Sequence, residues 1–369
     1  MKVTEFQIHS FELPLRKPLK LKESHYQSRK GLLISLTDER NNRSYGEVSP
    51  LAGFSRETLP EALKSTLALR RSTLNNEVPA NLHRLDGGFE QWLTPFSSIP
   101  SVRFGVETAV LRLIALREKT SLAHLLNHEP LESVTVNALL AGSTQDVLEK
   151  ARLLIDDGFT TFKLKVGDMS VKQALELTEA VRAKIGNAAF LRLDANRSWG
   201  IAEALEFMKR AGGLAVEFIE EPVHNLNQLR KLLQEKGCTM PVALDESLLE
   251  IRPRDLDPSY GIKAIVIKPG LLGFERAMLF TRSAVNAAMD VIISASFESS
   301  VGLSAMVSLS ASVAKPNVAM GFDTLEWFDR DLSAKPIRIT KGKIDLSTSD
   351  QAAREIQADL LEEVKNDPV

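Results

Sequence analysis

The sequence is poor in cysteine and contains no long apolar run. Its 369 residues include one cysteine, Cys238, so no disulfide forms within the chain and a disulfide-rich secreted scaffold is excluded. No stretch approaches the roughly 18 consecutive apolar residues of a membrane helix. Residues 1–20 contain no unbroken apolar core of a signal peptide. We therefore expect a cytoplasmic protein that does not enter the membrane.

The chain also lacks an excess of charge of either sign. The formal net charge is −2, so no basic field is available to attract nucleic acid or anionic lipid. The six histidines form no His-x-x-His pair, and a single cysteine cannot supply the ligand spacing of a zinc site. A small-molecule substrate is the expected partner, and the sequence leaves the oligomeric state open.

A repeat of strands and helices is present from residue 134 onward. Helical stretches such as residues 171–185 separate the strands, which implies βαβ units, and eight units imply a closed (β/α)8-type barrel. An open Rossmann-like sheet is the alternative, but residues 139–143 are not the glycine-rich phosphate turn that it requires. The eight apolar runs recur about every 22 to 29 residues and begin at Val134, Thr161, Ala188, Val216, Val242, Ala264, Asp290 and Val318.

The first hundred residues differ from this repeat. Residues 2–15 and 31–39 alternate like strands, residues 57–71 and 98–126 are helical in pattern, and the basic stretch from Arg16 to Lys30 is predicted as a loop. We therefore predict an α+β capping domain over residues 1–125 and a barrel over 126–325. A C-terminal segment, 326–369, is expected to return to the capping domain.

Five charged residues lie at the carboxyl tips of successive predicted strands. They are 23 to 29 residues apart and comprise Lys165, Asp194, Glu220, Asp245 and Lys268. Each one alone is compatible with an ordinary solvated strand end. Because active sites of such barrels lie at the carboxyl ends of the strands, the set together predicts one site.

Side-chain alternation adds neighbours to these tips. Lys163 shares a face with Lys165, and Arg192 and Asn196 share a face with Asp194. Like-charge repulsion and desolvation lower the pKa of an amine, so the paired lysines are expected to provide a general base. Arg192 and Asn196 are expected to contact either the substrate or the residues around it.

Three carboxylates on adjacent strands form an all-oxygen ligand set. Such a set suits Mg²⁺ or Mn²⁺ better than zinc. Glu221 and Glu246 directly follow two of the tips, so the sequence leaves some ambiguity about which carboxylate points inward. We favour Glu220 and Asp245 as ligands with Asp194, and we place Glu246 beside them.

These motifs resemble those of the enolase superfamily, in its muconate-lactonising-enzyme subgroup. The resemblance covers nearly the whole chain. The segments that carry it are GEVSPLAGFSRET (46–58), TFKLKVG (161–167), LRLDANRSW (191–199), FIEEP (218–222), ALDES (243–247), IKPGLLGF (267–274) and SASFESSVGL (294–303).

The resemblance implies roles for the tip residues. Asp194, Glu220 and Asp245 would bind Mg²⁺, with Mn²⁺ as an alternative. Lys165 would be the general base, tuned by Lys163, and Lys268 on the opposite side would stabilise charge that develops in the substrate. LRLDAN and FESS-x-GL favour members that dehydrate a hydroxycyclohexadiene carboxylate bearing a succinyl arm.

The same resemblance implies contacts for that arm. Backbone N–H groups near Ser294, Ala295 and Ser296 would bind its carboxylate, with Gly321 close by on the last strand. The stretch 16–30 and the turn 53–55 would close over the site. The alternatives are an N-succinylamino acid racemase or a dipeptide epimerase, although the epimerases carry an acidic pair on strand eight where this chain has Asp323 alone. A catalytically silent barrel scaffold is a remote alternative.

Overall fold

A four-stranded antiparallel sheet opens the computed structural model, which describes residues 1–21, 24–96, 99–257 and 261–364. Its strand order is β13-β1-β2-β3, so a strand from the end of the chain forms one edge of the first sheet. This pairing carries the C-terminal segment back to the capping domain. The strands are β1 (Val3–Leu21), β2 (Ser24–Asp38), β3 (Arg43–Val48) and β13 (Leu361–Glu363).

The loop predicted between Arg16 and Lys30 is wrong for the residues that the structure describes. Strands β1 and β2 continue through this stretch as a hairpin, with Leu19 paired to Tyr26 across it. Leu15 and Leu19 are buried in an apolar cluster, which the surrounding basic residues conceal in the sequence pattern. Residues 22–23, at the centre of the predicted loop, lie outside the described residues.

Four helices complete the capping domain. Thr58 and Glu61 form a reciprocal capping box at the first of them, which satisfies two backbone N–H groups. The third helix packs on β3 so closely that a Cβ on Gly46 would lie 1.8 Å from the Gly105 carbonyl oxygen. The helices are α1 (Leu59–Thr73), α2 (Gly88–Leu93), α3 (Pro100–Arg117) and α4 (Leu122–Leu126).

The repeat folds into a parallel sheet of seven strands in consecutive order. Two short 3₁₀ turns, at Glu246–Leu249 and Pro253–Asp255, stand between β9 and β10 where other units have a longer helix. The strands are β5 (Ala138–Leu140), β6 (Thr161–Lys165), β7 (Phe190–Asp194), β8 (Val216–Glu220), β9 (Val242–Leu244), β10 (Ile262–Ile267) and β11 (Asp290–Ile293). The helices are α5 (Thr144–Asp156), α6 (Val171–Ile185), α7 (Ile201–Ala211), α8 (Leu226–Gln234), α9 (Pro269–Leu272), α10 (Phe274–Asn286) and α11 (Ser300–Val313).

Two residues close the ring between the first and last strands of this sheet. Met320 forms a parallel bridge to Val136, and Gly321 forms one to Ser294. The predicted eighth strand is therefore reduced to a pair of bridging residues. The first predicted strand is also divided, because β4 (Ser133–Thr135) turns away to pair with β12 (Lys343–Asp345), which precedes α12 (Leu346–Ala352). The predicted barrel with an α+β capping domain is confirmed.

Two apolar layers position the mouth of the barrel. The interior beneath the charged strand tips is filled by Phe218, Ala243, Ala264, Val266 and Ile292, each of which precedes the tip residue of its strand. A second cluster joins the capping domain to the barrel, and each buried large side chain in it contributes about 1.5–3 kcal/mol. This cluster contains Phe11, Leu13, Leu15, Leu19, Leu33, Leu51, Val301, Phe328 and Leu332.

Buried carboxylates also connect the two parts. Glu47 on β3 accepts hydrogen bonds from the backbone N–H groups of Ser299 (3.1 Å) and Gly302 (2.9 Å) at the start of α11. Glu275 on α10 in turn accepts from Phe89 N at the start of α2, at 3.1 Å. Such caps satisfy helix N-terminal donors and oppose the helix dipole, so they fix the capping domain over the barrel mouth.

The remaining expectations concern the membrane, the cellular location and the limits of the domains. No helix within the described residues is both long and apolar enough to span a membrane. The expected cytoplasmic location and the domain limits at residues 125 and 325 stay predictions.

Candidate active site

The strand tips singled out in the sequence meet at the carboxyl end of the barrel. Lys165, Asp194 and Glu220 are the last residues of β6, β7 and β8, and they lie side by side in register. Asp245 and Lys268 directly follow β9 and β10. The parallel register of the strands therefore converts spacing along the chain into one group of side chains.

The two lysines of β6 are bound to these carboxylates. The Lys163 ammonium donates to both oxygens of Glu220 at 2.8 and 2.7 Å and lies 2.8 Å from Asp194 Oδ2. Lys165 Nζ lies 2.6 Å from Asp194 Oδ2 and 3.0 Å from Asn196 Oδ1. The Lys165 side chain is 32% exposed against 11% for Lys163, so Lys165 is the more open to a ligand.

Lys268 approaches the carboxylates from the opposite side of the ring. Its strand, β10, lies four positions from β6 in the sheet. The Lys268 ammonium donates to Asp245 Oδ2 and lies 5.1 Å from the centre of the Phe54 ring. That ring comes from the 53–55 turn of the capping domain, so the turn covers the site as expected.

The charges in this group change each other's pKa values. Burial opposes the charge of Lys163, but the carboxylates of Asp194, Glu220 and Asp245 outweigh that cost and raise its pKa. The expectation that crowding lowers the pKa of this amine is therefore wrong, because each strand lysine faces carboxylates at close range. Burial, followed by repulsion from Asp194, raises the pKa of Glu220.

The donor set fits a divalent cation in chemistry and burial. Asp194, Glu220 and Asp245 are at most 5% exposed, and the carboxyl groups of Glu220 and Asp245 lie within hydrogen-bonding reach. Among the described residues no three Asp, Glu, His or Cys side chains form a ready-made metal cage. The reason is visible in the contacts, since lysine ammonium groups lie on these oxygens. An ion would replace the ammonium groups as the neutralising charge.

The neighbouring acids have separate positions. Glu221 turns away from the site and accepts from the backbone N–H groups of Asp245 (2.8 Å) and Ser247 (2.7 Å), so Glu220 is the residue that faces the lysines. Burial, together with repulsion from Asp245, raises the pKa of Glu246 to about 7. Its Oε2 atom is buried and has no hydrogen-bond partner among the described residues. Glu246 is therefore free to serve a ligand.

Arg192 does not join the site. It points into the barrel, but its guanidinium donates to Glu217 Oε2 and to the Ala319 carbonyl, each at 2.6 Å. These partners lie toward the amino-terminal ends of the strands, where the guanidinium also stacks 5.1 Å from the Phe218 ring. The shared face with Asp194 is correct in direction, but the two residues lie at different depths in the barrel.

The expected backbone donors after β11 are already occupied. Ser294 N donates to Ile267 O at 2.8 Å, and Ala295 N donates to Gly321 O at 2.9 Å. Ser296 N donates to Glu298 Oε2 at 2.5 Å. The prediction that the N–H groups of these three residues are available to bind a substrate carboxylate is therefore wrong. The Ser296 hydroxyl is buried without a hydrogen-bond partner in the described part of the chain, so it can offer a donor instead.

Gly321 lies against this loop for a steric reason. A Cβ at this position would stand 2.6 Å from Ser294 Oγ, and Ser294 Oγ donates to the Gly321 carbonyl at 3.3 Å. Only glycine permits the approach, so Gly321 shapes the wall of the site.

Comparisons with known proteins give the class first. Residues 146–350 match the family described as enolase C-terminal domain-like, and residues 3–113 match the MenC N-terminal domain. The fold and the first match, which spans more than half of the chain, define a member of the enolase superfamily. The dipeptide epimerase of Cytophaga hutchinsonii, solved with Mg and the dipeptide D-Ala-L-Val, superposes with a TM-score of 0.84 at 20% identity over 99% of each chain. The N-succinyl Arg/Lys racemase of Bacillus cereus gives a TM-score of 0.80 at 20% identity, over 99% of this chain and 100% of that one.

Sequence relatives narrow the class. The chain is 31% identical over 330 residues to the o-succinylbenzoate synthase of Yersinia enterocolitica, which covers 86% of this chain and 89% of that protein. It is 36% identical over 350 residues to the chloroplastic protein PHYLLO of Arabidopsis thaliana, covering 84% of this chain but spanning only 20% of that protein. The chain belongs to the o-succinylbenzoate synthase family and is an enzyme.

Proposed function

We propose that this enzyme dehydrates a hydroxycyclohexadiene carboxylate that bears a succinyl arm. The product would be o-succinylbenzoate, an intermediate of menaquinone biosynthesis. The observation that carries the proposal is the arrangement of Lys165 and Lys268 on opposite sides of three buried carboxylates. The match to the MenC N-terminal domain and the relative from Yersinia support this substrate over others in the superfamily.

Asp194, Glu220 and Asp245 are the proposed ligands of a divalent ion, Mg²⁺ or Mn²⁺. Their oxygens and their burial suit a hard cation. When bound, the ion supplies positive charge near the substrate carboxylate, where negative charge develops during proton removal. The superfamily relative solved with Mg agrees with this assignment.

Lys165 is the proposed general base. Once neutral, its amine takes the proton next to the substrate carboxylate, and the electron pair of that C–H bond stays on the substrate until it forms the new double bond in the next step. The ammonium of Lys165 then returns the proton to the leaving hydroxyl, so that water departs and the ring becomes aromatic. Asn196 Oδ1, 3.0 Å from Lys165 Nζ, holds the amine in position.

Lys163 and Lys268 have supporting roles in this proposal. Lys163 lies on the same face of β6 as Lys165 and keeps its positive charge there, so it tunes the neighbouring base. Lys268 stabilises negative charge from the opposite face of the ring. Phe54 covers Lys268 from the capping domain, and exclusion of water strengthens both electrostatic effects.

Racemisation of an N-succinylamino acid is the second candidate. Lysines on both sides of a substrate can exchange its proton on either face, and the Bacillus cereus racemase shares the fold. Epimerisation of a dipeptide has less support. Asp323, the one acid of the predicted eighth strand, already accepts from the backbone N–H of Leu139 at 2.8 Å and pairs with Lys150 at 3.2 Å. Its carboxylate is therefore engaged within the protein.

The test compares both reactions in one preparation. The purified enzyme with Mg²⁺ is assayed for aromatic product from the cyclohexadiene acid and for racemisation of a panel of N-succinylamino acids. We expect kcat/KM to be at least about a hundredfold higher for dehydration, a difference of about 2.7 kcal/mol in transition-state stabilisation. Faster racemisation would assign the enzyme to the second candidate. Lys263→Ala serves as a control for the loss of a lysine outside the site, because Lys263 lies at the other end of β10 from Lys268 and pairs with Asp290 at 2.8 Å. This variant should keep the wild-type ratio of the two reactions.

A further inference from the structure

Arg29 is a buried arginine at the junction of the capping domain and the barrel. It lies on β2 and is 3% exposed. Its guanidinium forms no ion pair within the described residues and instead donates to three backbone carbonyls. The distances are 3.0 Å from Nε to Phe297 O, 3.1 Å from Nη1 to Pro50 O and 2.7 Å from Nη2 to Ser49 O.

The three carbonyls belong to two loops that are far apart in sequence. Ser49 and Pro50 lead into the turn that carries Phe54, and Phe297 lies between β11 and α11. Only a planar guanidinium directs separate N–H groups to acceptors on both sides in this way. Arg29 therefore joins the two loops through one rigid group.

Each of these loops forms a wall of the candidate site. The first places the Phe54 ring 5.1 Å from Lys268 Nζ. The second contains the Ser296 hydroxyl, which is buried without a partner in the described structure. Phe297 has a φ of +61°, a backbone conformation that is strained for a bulky residue and persists only where its surroundings hold it. The Arg29 hydrogen bond to the Phe297 carbonyl is one such restraint.

The charge of Arg29 is balanced at longer range. Burial lowers the pKa of the Arg29 guanidinium, and attraction by the carboxylates of Glu298 and Glu47 offsets part of this effect. Glu47 also holds the start of α11, directly after the second loop. The same loop is thus restrained at two points, Phe297 and Ser299, by residues of the capping domain.

We propose that Arg29 is a positioning residue that sets the two loops at the mouth of the site for binding the non-reacting arm of the substrate. It touches neither the lysines nor the carboxylates at the strand tips. Its loss therefore weakens binding of substrate and transition state alike, which raises KM and leaves kcat nearly unchanged. This kinetic part rests on the proposed function.

The test uses Arg29→Lys, with Arg182→Lys as a matched control. Arg182 is 7% exposed and also donates to backbone carbonyls, but at the amino-terminal ends of β7 and β8. We expect Arg29→Lys to raise KM about tenfold, the equivalent of one charge-assisted hydrogen bond, with kcat changed less than about threefold. Arg182→Lys is expected to leave both constants near the wild-type values. Arg29→Met removes the charge and every N–H donor, so it should raise KM further. If Arg29→Met does not fold, the result for Arg29→Lys decides the test.

A second readout does not depend on any substrate. The Phe297 ring packs edge-on against Trp327 at 5.6 Å, so the fluorescence of Trp327 reports on the loop. In a Trp92→Phe background the other tryptophan, Trp199, is 2% exposed and shielded from acrylamide. We expect Arg29→Lys, but not Arg182→Lys, to increase quenching by at least about twofold, because this variant loses the charge-assisted hydrogen bond to the Phe297 carbonyl.

The outcomes separate the two proposals. If the wild-type enzyme does not dehydrate the cyclohexadiene acid, the proposed function fails and quenching alone decides the role of Arg29. Wild-type KM and quenching in Arg29→Lys would overturn that role. Equal changes in Arg29→Lys and Arg182→Lys would also overturn it, because a buried arginine at either end would then act only through general stability.

Discussion

Replacing Glu298 by glutamine should change how the stability of this enzyme depends on pH. Glu298 follows β11, is 2% exposed and accepts the Ser296 N–H at 2.5 Å. Burial, and then repulsion from Glu47, raises its pKa from 4.5 to about 7, against the weaker attraction of Arg29. The folded protein therefore retains a proton that the unfolded chain releases.

The sign of the effect follows from this difference. Below pH 4.5 the carboxyl group is protonated in both the folded and the unfolded state, so it does not change the free energy of unfolding with pH. As pH rises toward 7 the folded state holds the extra proton, so the free energy of unfolding falls by up to about 1.4 kcal/mol per pH unit. Above pH 7 the accumulated loss is about 3–4 kcal/mol at most for a shift from 4.5 to about 7. Glutamine has the same shape and an acceptor oxygen but does not titrate.

Urea unfolding of the wild type and of Glu298→Gln at pH 5 and pH 8 measures this difference. We expect similar stabilities at pH 5 and a glutamine variant that is more stable by about 1–3 kcal/mol at pH 8. Glu179→Gln, on the exposed face of α6, serves as the control for a charge change alone. A difference between wild type and Glu298→Gln that is the same at both pH values would refute the reasoning.

Two further changes test other parts of the molecule. Asp194→Asn should weaken Mg²⁺ binding at least about tenfold in calorimetric titration, because one anionic ligand is lost; an unchanged isotherm would remove Asp194 from the ligand set. Glu47→Gln should lower the free energy of unfolding by about 1–3 kcal/mol, because α11 loses the charge that caps Ser299 and Gly302, and a loss below about 0.5 kcal/mol would show that this cap contributes little.

The barrel and its strand tips could be predicted because both depend on local periodicity. Each strand and helix unit occupies a similar length of chain, and parallel register places consecutive tips side by side. The choice of Glu220 over Glu221 followed from alternation along β8. The same rule misjudged Arg192, since alternation gives the direction of a side chain and not its depth in the barrel.

Other features depend on contacts between distant parts of the chain. Arg29 and Phe297 are 268 residues apart, and Glu47 and Ser299 are 252 apart, so no local pattern connects them. The N–H groups of Ser294 and Ala295 seemed free in sequence because their acceptors, Ile267 and Gly321, lie on neighbouring strands. The burial of Arg29 and Glu47 is the feature that indicates these contacts, and a single sequence does not show which charged residues are buried.

The different surroundings of Lys163 and Lys165 also depend on contacts between distant parts of the chain. Two lysines on one strand suggest mutual repulsion, but the structure places the Asp194 carboxylate of the adjacent strand against both of them. The pKa of Lys163 is therefore raised, and its ammonium lies at the centre of the charge network. Lys165 lies at the more exposed edge of the same network, and it is the residue that we propose for proton transfer.

The most direct test of the proposed site is the dehydration rate of Lys165→Ala beside that of Lys263→Ala. We expect kcat of Lys165→Ala to fall about a thousandfold, within the usual contribution of a general base, while its melting temperature and Mg²⁺ binding stay near the wild-type values. Lys263→Ala should retain wild-type kcat, because its side chain pairs with Asp290 at the opposite end of the strand. A Lys165→Ala enzyme that turns over at the wild-type rate would contradict the assignment of the base.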